Sequence, residues 1–299
     1  MRRDDFEGWS RRHLTEVERA LERWVPEHAP AGLGAAMRYG VLDGGKRLRP
    51  LLVLAAAEAV VGRPEAALRA ACAVELIHAY SLIHDDMPCM DDDVLRRGKP
   101  TVHVQFGQAQ AMLAGDAMQA LAFEVLTPAE PEGTAVPAAL QARLCGLLAR
   151  AAGQDGMAGG QAIDLASVGC SLDEHALSDM HRRKTGALLQ TSVLMGAACG
   201  EVPAHAWDAL SDYGAAIGLA FQVVDDILDV TQASHLLGKT AGKDAANNKP
   251  TYVTVLGLEA AQRRAEDLCG QAHAALARSG LPGAMWLSVL ADKVVEREC

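Results

Sequence analysis

The chain has 299 residues, of which 50% are hydrophobic and 4% aromatic, and its formal net charge is −10. This length can bury a large core in one or two domains, and small, unbranched apolar residues favour helix over sheet. The negative charge argues against nucleic acid or an anionic membrane as a partner. It does not exclude an anionic substrate, because a bound divalent metal reverses the local sign of charge.

Cysteine usage and hydropathy indicate the cellular compartment of the protein. The seven cysteines are dispersed without a C-x-x-C pair, which is typical of reduced thiols in a cytosolic protein. No run of eighteen apolar residues occurs, and no apolar core follows the N-terminal arginines. We therefore expect a cytoplasmic protein with neither a membrane span nor a secretory signal.

Apolar residues recur at three- and four-residue steps through most of the chain, which predicts helices. Leu14, Val17, Leu21 and Trp24 fall on one face of the first helix. Residues 65–86 are apolar nearly all round, as expected of a buried helix. Further helices are expected at 50–62, 103–126, 136–154, 173–199, 204–229, 251–279 and 284–297. With strand content near zero, the predicted fold is an all-α bundle of about ten helices.

The breaks between these helices are too short to be interdomain linkers, so residues 1–299 are expected to form a single domain. The longest stretch without a strong period is 231–250, which contains Lys239 and Lys249. A loop of this length in a compact domain is usually functional or mobile. We therefore expect it to close over a bound ligand.

Several basic residues indicate an anionic ligand. The segment GGKRLRP at 44–50 sets cations beside two glycines and ahead of a helix, a pattern that can bind phosphate. Lys184 and Thr185 stand in a helical run just before Gly186, where a kink could free a carbonyl. Any one such cation is typically an ordinary surface residue. The candidates considered together are Lys46, Arg47, Arg49, Arg96, Arg97, Lys184, Lys239, Lys243 and Lys249.

Five aspartates fall within nine positions at the end of the 65–86 helix, at 85, 86 and 91–93. His78, Ser81 and Asp85 share the spacing i, i+3, i+7, so one helix face presents all three. Pro88 cannot sit comfortably inside that helix. The chain should therefore leave the helix near Asp86, and Asp91 should return from a loop.

A second acidic segment, VVDDILD at 223–229, ends another apolar helix. Gln222, Asp225 and Asp229 again share the spacing i, i+3, i+7. Separated carboxylates suit Mg²⁺, which prefers oxygen ligands and is often completed by substrate phosphates. Either segment alone could be a solvated helix end. Two of them at the ends of apolar helices predict two acidic sides of one cavity.

Seven blocks resemble trans-prenyltransferases, most closely bacterial-type farnesyl diphosphate synthases. They are GGKRLRP, HAYSLIHDDMPCMDDDVLRRGKPTVH, LAGDAM, GGQAIDL, KTGALL, GLAFQVVDDILDVT and GKDAANNKPTY, in this order across residues 44–252. The resemblance implies the isoprenoid synthase fold, with helices around a central cavity, and one polyprenyl synthetase domain. Val94, where an aspartate is common, and FGQAQA at 106–111, in place of a more acidic stretch, depart from the pattern.

The resemblance implies head-to-tail condensation of isopentenyl diphosphate with dimethylallyl or geranyl diphosphate, releasing pyrophosphate, in a homodimer. It implies three Mg²⁺ ions, replaceable by Mn²⁺, held by Asp85, Asp91 and Asp225. The allylic diphosphate would bind Arg96, Lys184, Lys239 and Lys249. Isopentenyl diphosphate would bind Lys46, Arg49, His78 and Arg97. The carbocation would be stabilised by Thr185, Gln222 and the carbonyl of Lys184.

Product length would be limited by Tyr80 and Ser81, which lie about 6–7.5 Å before Asp85 along the helix axis. A tyrosine there could close the pocket at fifteen carbons, a role that the resemblance also implies, although packed core aromatics are commoner. The alternative is a geranylgeranyl or other short-chain synthase. More distant alternatives are a terpene cyclase, a helical phosphohydrolase using the His84–Asp85 doublet, and a non-catalytic synthase subunit.

Overall fold

The computed structural model describes residues 3–42, 44–128, 136–170, 172–231 and 250–297. Lys239 and Lys249, and almost all of the 231–250 loop, lie outside these residues. The predictions made for them therefore stay predictions. Contacts group the chain into two compact units: Met1–Leu54 with Arg63–Cys145, and Ala55–Gly62 with Gly146–Cys299. The expectation of a single domain is not tested by this grouping.

The first unit contains most of the N-terminal helices and a short hairpin. Its elements are α1 (Arg3–Trp24), α2 (Leu33–Val41), the first half of α3 (Leu48–Ala59), α4 (Pro64–Asp85), β1 (Leu95–Arg96), β2 (Lys99–Pro100), α5 (Val102–Phe106), α6 (Gln108–Leu126) and the start of α7 (Ala138–Ala152). The antiparallel pair β1–β2 is the only sheet among the described residues. The all-α prediction is therefore confirmed.

The second unit is helical in its described parts. Its elements are the second half of α3, the end of α7, α8 (Met157–Ala166), α9 (Glu174–His181), a π-helical turn (Arg182–Gly186), α10 (Ala187–Ala198), α11 (Ala204–Thr231), α12 (Tyr252–Leu256), α13 (Leu258–Ser279) and α14 (Met285–Val295). The π-helical turn interrupts a continuous helical path, at the position where the sequence predicted a kink.

Helix α4 forms the core of the first unit, packed along α6. It begins with Pro64 in its first turn, where the missing N–H is harmless, and is buried along most of its length. It is long and apolar enough to span a membrane, yet 72% of its most apolar window is buried inside the protein. Burial of this kind is typical of a core helix in a soluble domain.

Helix α11 organises the second unit by packing against α10 and α13. Two glycines permit the close approach. A Cβ at Gly218 would lie 2.7 Å from the Cα of Gly186, and one at Gly214 would lie 2.8 Å from the Cα of Gln190. The π-helical turn therefore sits directly against α11. This contact places the residues around 184 beside those around 222.

The predicted helices differ from the observed ones mainly at glycines. The run 103–126 divides at Gly107 and the run 251–279 at Gly257, both with positive φ angles near 85° (89° and 82°). Residues with side chains rarely adopt this conformation, so each glycine ends one helix and begins the next. Helices α2 and α8 were not predicted, because their short glycine-containing sequences carry little periodicity.

Candidate active site

The first acidic segment forms a turn at the end of α4. The helix ends at Asp85, and the backbone N–H of Asp91 donates to the carbonyl of Asp85 at 2.9 Å. The predicted exit from the helix and the return of Asp91 from a loop are therefore confirmed. Both aspartates are half-buried, while Asp86 between them is buried. The turn thus places Asp85 and Asp91, both half-buried, next to each other at the end of α4.

Asp86 anchors the hairpin instead of facing solvent. Its carboxylate accepts hydrogen bonds from Arg96 Nε at 2.8 and 2.9 Å and from Nη2 at 2.5 Å. Burial raises the pKa of Asp86, and the ion pair with Arg96 opposes that rise. Arg96, predicted to bind the allylic diphosphate, is therefore held by a buried carboxylate. The pair positions the guanidinium on β1 near the end of α4.

Arg97 lies against the glycine pair of the basic segment. Its Nη1 donates to the carbonyl of Gly44 at 2.5 Å. A Cβ on Gly45 would lie 2.8 Å from the guanidinium, and Gly45 has a φ of +123°. Only glycine fits this conformation and this contact. The two glycines therefore bring the start of α3 and the hairpin together.

The three cations of residues 46–49 have different environments. Lys46 is exposed. Arg47 points into the core, where it donates to Glu75 at 2.7 Å, to Glu18 at 2.7 Å and to a backbone carbonyl. Arg49 is buried, and its Nε has no hydrogen-bond acceptor among the described residues. Burial lowers the pKa of Arg49 to about 10. An unsatisfied buried donor of this kind suits an anionic ligand.

His78 lies among these arginines. It is half-buried, and burial together with Arg49 and Arg97 lowers its pKa well below the ordinary value. The imidazole is therefore neutral at physiological pH and can donate one hydrogen bond without adding charge. In the first unit the structure thus brings together three of the four residues predicted for isopentenyl diphosphate. The fourth, Lys46, is exposed on the same segment.

Tyr80 and Ser81 are both half-buried on α4. The Ser81 hydroxyl donates to the carbonyl of His78 at 2.8 Å, so its hydrogen bond is made within α4 itself. The Tyr80 ring meets the ring of His84 edge-on, with centroids 5.7 Å apart. Tyr80 is therefore not a fully packed core aromatic. A part-exposed ring one turn and a half before Asp85 is consistent with the predicted pocket floor.

His84 itself binds the neighbouring helix. Its Nε2 lies 3.1 Å from the carbonyl oxygen of Met112 on α6. A Cβ on Gly115 would lie only 2.0 Å from that nitrogen, so the close approach requires glycine. The phosphohydrolase alternative needed His84 as a metal ligand. Its observed hydrogen bond gives it a structural role instead.

In the second unit, the π-helical turn positions Lys184 and Thr185. Lys184 Nζ lies 2.5 Å from a carboxylate oxygen of Asp164 on α8, and this carboxylate is almost fully buried. Sequence reasoning assigned no role to Asp164, although it stands in the quoted block GGQAIDL. The ion pair fixes the direction of Lys184, whose side chain is 24% exposed.

A chain of hydrogen bonds orients Gln222. The Thr185 hydroxyl donates to Gln222 Oε1 at 3.0 Å, and Gln222 Nε2 donates to Asp226 at 2.8 Å. Asp226 is buried and also accepts from the backbone N–H of Tyr252 at 2.8 Å. The structure therefore brings Thr185 and Gln222 together as predicted neighbours. Asp226 supports them and has no accessible carboxylate of its own.

Asp225 is the accessible aspartate of the second segment, with its side chain 33% exposed. Arg297, just beyond α14, approaches it at 3.7 Å and stacks over Phe221 at 4.3 Å. No local pattern in the sequence singled out Arg297. Asp229, predicted to share the face of Asp225, is buried. The three residues predicted to hold Mg²⁺, Asp85, Asp91 and Asp225, are all half-buried, whereas Asp92 beside Asp91 is exposed. Each of the three offers the oxygen ligands that Mg²⁺ prefers.

The described part of the chain is mainly helical, with half-buried aspartates at the end of α4 and in the last two turns of α11 and basic side chains near both. These features define a class of metal-dependent enzymes for phosphorylated substrates. Residues 30–278 match the family model for polyprenyl synthetase. The chain therefore belongs to the polyprenyl synthetase family and is a prenyltransferase. Both the predicted resemblance and the enzyme class are confirmed.

The relatives are divided in product length. The chain is 46% identical over 249 residues to a farnesyl diphosphate synthase of Geobacillus stearothermophilus, covering 83% of each chain. It is 47% identical over 260 residues to the large subunit 1 of a heterodimeric geranylgeranyl pyrophosphate synthase of Arabidopsis thaliana, covering 86% of this chain and 70% of that one. Family membership alone therefore leaves the chain length of the product open.

Solved structures share the fold. An FPP/GFPP synthase from Zymomonas mobilis superimposes with a TM-score of 0.86 at 40% identity, covering 97% of this chain and 99% of that one. A geranyltransferase from Helicobacter pylori, solved with magnesium and isoprenyl diphosphate, has a TM-score of 0.78 at 32% identity, covering 94% and 96%. The predicted isoprenoid synthase fold is confirmed.

Proposed function

We propose that this prenyltransferase is a farnesyl diphosphate synthase of the cytoplasm. It would condense isopentenyl diphosphate with dimethylallyl and then geranyl diphosphate, releasing pyrophosphate, and would act as a homodimer. The observation that carries the fifteen-carbon product is the half-buried Tyr80, which precedes the accessible Asp85 by five residues on one helix. A relative named farnesyl diphosphate synthase, at 46% identity, supports the same product.

The isopentenyl diphosphate is proposed to bind in the first unit. The unsatisfied Nε of buried Arg49 and the guanidinium of Arg97 supply positive charge, while neutral His78 donates a hydrogen bond. Lys46 is exposed, so it can attract the anion while its ammonium group stays hydrated, unlike the buried guanidinium of Arg49. A bound diphosphate would accept a hydrogen bond from Arg49 Nε, for which the described part of the chain offers no acceptor.

The allylic diphosphate is proposed to bind Asp85, Asp91 and Asp225 through Mg²⁺. When bound, three Mg²⁺ ions, or Mn²⁺ in their place, would neutralise charge on the departing pyrophosphate. Arg96 and Lys184, each oriented by a buried aspartate, would donate to the same diphosphate. Lys239 and Lys249 are proposed to do so as well.

The carbocation left after ionisation is proposed to face Thr185, Gln222 and the carbonyl of Lys184. Gln222 Nε2 donates to Asp226 and Oε1 accepts from Thr185, so the amide dipole has one orientation before substrate arrives. Fixed dipoles stabilise developing charge without reorganising during the reaction. No described side chain nearby is an obvious base for the last proton, and the released pyrophosphate is proposed to accept it.

The alternative product is geranylgeranyl diphosphate, which the relative of that name at 47% identity supports. Incubating purified protein with Mg²⁺, labelled isopentenyl diphosphate and geranyl diphosphate separates the two. Chromatography after dephosphorylation should show a fifteen-carbon alcohol as the final product. Accumulation of the twenty-carbon alcohol would favour the alternative. No product with any allylic primer would contradict the proposal.

A further inference from the structure

We propose that Cys269, His273 and Asp292 form a zinc-binding site in the second unit, separate from the residues proposed to hold Mg²⁺. The three side chains lie on α13 and α14. One ligand atom from each, a thiol sulfur, a ring nitrogen and a carboxylate oxygen, lies within 4.8 Å of the other two. This combination of ligand types plays no part in the prenyltransferase chemistry described above.

The helices present the ligands in a suitable geometry. Cys269 and His273 are four residues apart, so α13 points both toward α14. Asp292 Oδ1 lies 2.7 Å from His273 Nε2 and 3.9 Å from Cys269 Sγ. Ligand atoms of a tetrahedral zinc site, with bonds of about 2.0–2.3 Å, are separated by roughly 3.5 Å. Both separations from Asp292 lie within about 1 Å of this value, so side-chain adjustment would accommodate the ion.

A second contact orients the imidazole. Ser288 Oγ lies 3.2 Å from His273 Nδ1, and Ser288 precedes Asp292 by four residues on α14. With Nδ1–H donated to Ser288, Nε2 faces Asp292 and its lone pair is available to a metal. In the metal-free protein the proton between Nε2 and Oδ1 makes their short hydrogen bond. Zinc would replace that proton and the thiol proton of Cys269, and both would leave to solvent.

The ligand types select the metal. Sulfur and imidazole are poor ligands for Mg²⁺, which prefers oxygen, but are typical ligands of Zn²⁺. The side chains of His273 and Asp292 are 38% and 47% exposed, so an ion can enter from solvent. Exposed Glu296 follows Asp292 by one turn and, like water, could take the fourth position. A bound ion would join the last two helices of the chain.

Cobalt provides the direct test, because Co²⁺ bound to a thiolate absorbs in the near ultraviolet and Co²⁺ bound only to carboxylates does not. Metal-free protein, kept reduced by a phosphine and saturated with Mg²⁺, is titrated with Co²⁺ and then with Zn²⁺. We expect one equivalent of Co²⁺ to give the charge-transfer band and one equivalent of Zn²⁺ to remove it. Zinc should also raise the melting temperature.

Variants assign the band to these residues. Cys269→Ser and Cys269→Ala should abolish it, and Ser288→Ala should weaken affinity about 10-fold, as expected for an outer-shell hydrogen bond. Cys170→Ser, at an exposed thiol elsewhere in the same unit, is the matched control and should bind as the parent does. Circular dichroism without metal checks that each variant folds. Absence of the band in the parent, or its retention in either folded Cys269 variant, would overturn the proposal.

Discussion

Arg47 and Arg49 differ by two positions in the sequence, and the structure predicts opposite consequences for replacing them. Arg47 is 4% exposed and binds Glu75, itself 3% exposed, at 2.7 Å. Its second partner, Glu18, has a side chain that is 31% exposed. Arg47→Met removes the cation that is hydrogen-bonded to the buried Glu75 carboxylate and leaves only the longer-range attraction of Arg49. We therefore expect a large loss of stability and no direct loss of substrate binding.

The magnitude follows from the burial of Glu75. Removing one partner of a buried ion pair costs about 3–5 kcal/mol, since the remaining charge is desolvated and unpaired. The more exposed Glu18 contributes little, because an exposed pair is worth about 0–1 kcal/mol. Arg47→Met/Glu75→Leu removes both charges and should recover much of the loss. Recovery should be incomplete, because Glu75 also stabilises the charged form of buried Arg49.

Urea unfolding followed by circular dichroism measures these differences as shifts in the transition midpoint. Arg11→Met is the matched control, since Arg11 is an exposed arginine on α1 and its replacement should change stability by less than about 0.5 kcal/mol. Arg49→Met should instead raise the KM for isopentenyl diphosphate. The reasoning is refuted if Arg47→Met costs less than about 1 kcal/mol, or if the double variant is no more stable than the single one.

Three further predictions concern the metal-binding aspartates, the product length and the pH dependence of stability. Asp85→Asn and Asp225→Asn should each lower turnover of labelled isopentenyl diphosphate by at least about 100-fold with an unchanged circular dichroism spectrum, since both lose a metal-binding oxygen. Asp212→Asn, at an exposed position on α11, should stay active; near-normal turnover of the first two would contradict their role. Tyr80→Ala should shift the dephosphorylated product toward twenty carbons, and an active variant that still stops at fifteen would place the floor elsewhere. Burial lowers the pKa of His181 to about 4 in the folded protein, whereas its pKa in the unfolded chain is about 6.5. Between these two values His181 is protonated only in the unfolded chain, and this protonation favours unfolding. Between about pH 7 and about pH 5 the parent should therefore lose about 2 kcal/mol of stability through His181. His181→Phe lacks this group, so its loss over the same pH range should be smaller by that amount. Urea unfolding at the two pH values measures both losses, and equal losses would exclude this linkage.

Local rules were sufficient for much of the fold. The apolar run before Asp85 predicted α4 to within one residue at each end, because helix periodicity and the effect of Pro88 act over short distances. The kink before Gly186 was predicted in the same way. The resemblance of seven short blocks, in their order along the chain, was enough to predict the family. These features depend on neighbours in the sequence, so the sequence displays them.

Only the tertiary structure showed which aspartate of each adjacent pair is accessible to a metal ion. Asp85 and Asp225 are accessible, whereas their sequence neighbours Asp86 and Asp226 are buried and hydrogen-bonded. Spacing cannot distinguish adjacent aspartates at a helix end, because the partner that captures one of them comes from a distant segment. Asp226, for example, accepts from the backbone of Tyr252, 26 residues later.

The same reason explains the residues that the sequence did not reveal. Arg297 approaches Asp225 across 72 residues of chain, and Asp164 meets Lys184 across 20. Cys269, His273 and Asp292 likewise meet only because α13 packs against α14. Periodicity determined most of the helices, and the acidic and basic segments indicated the chemical type of the site. Which side chains face one another was decided by long-range packing, since the energy of a buried polar group depends on a partner that no local pattern specifies.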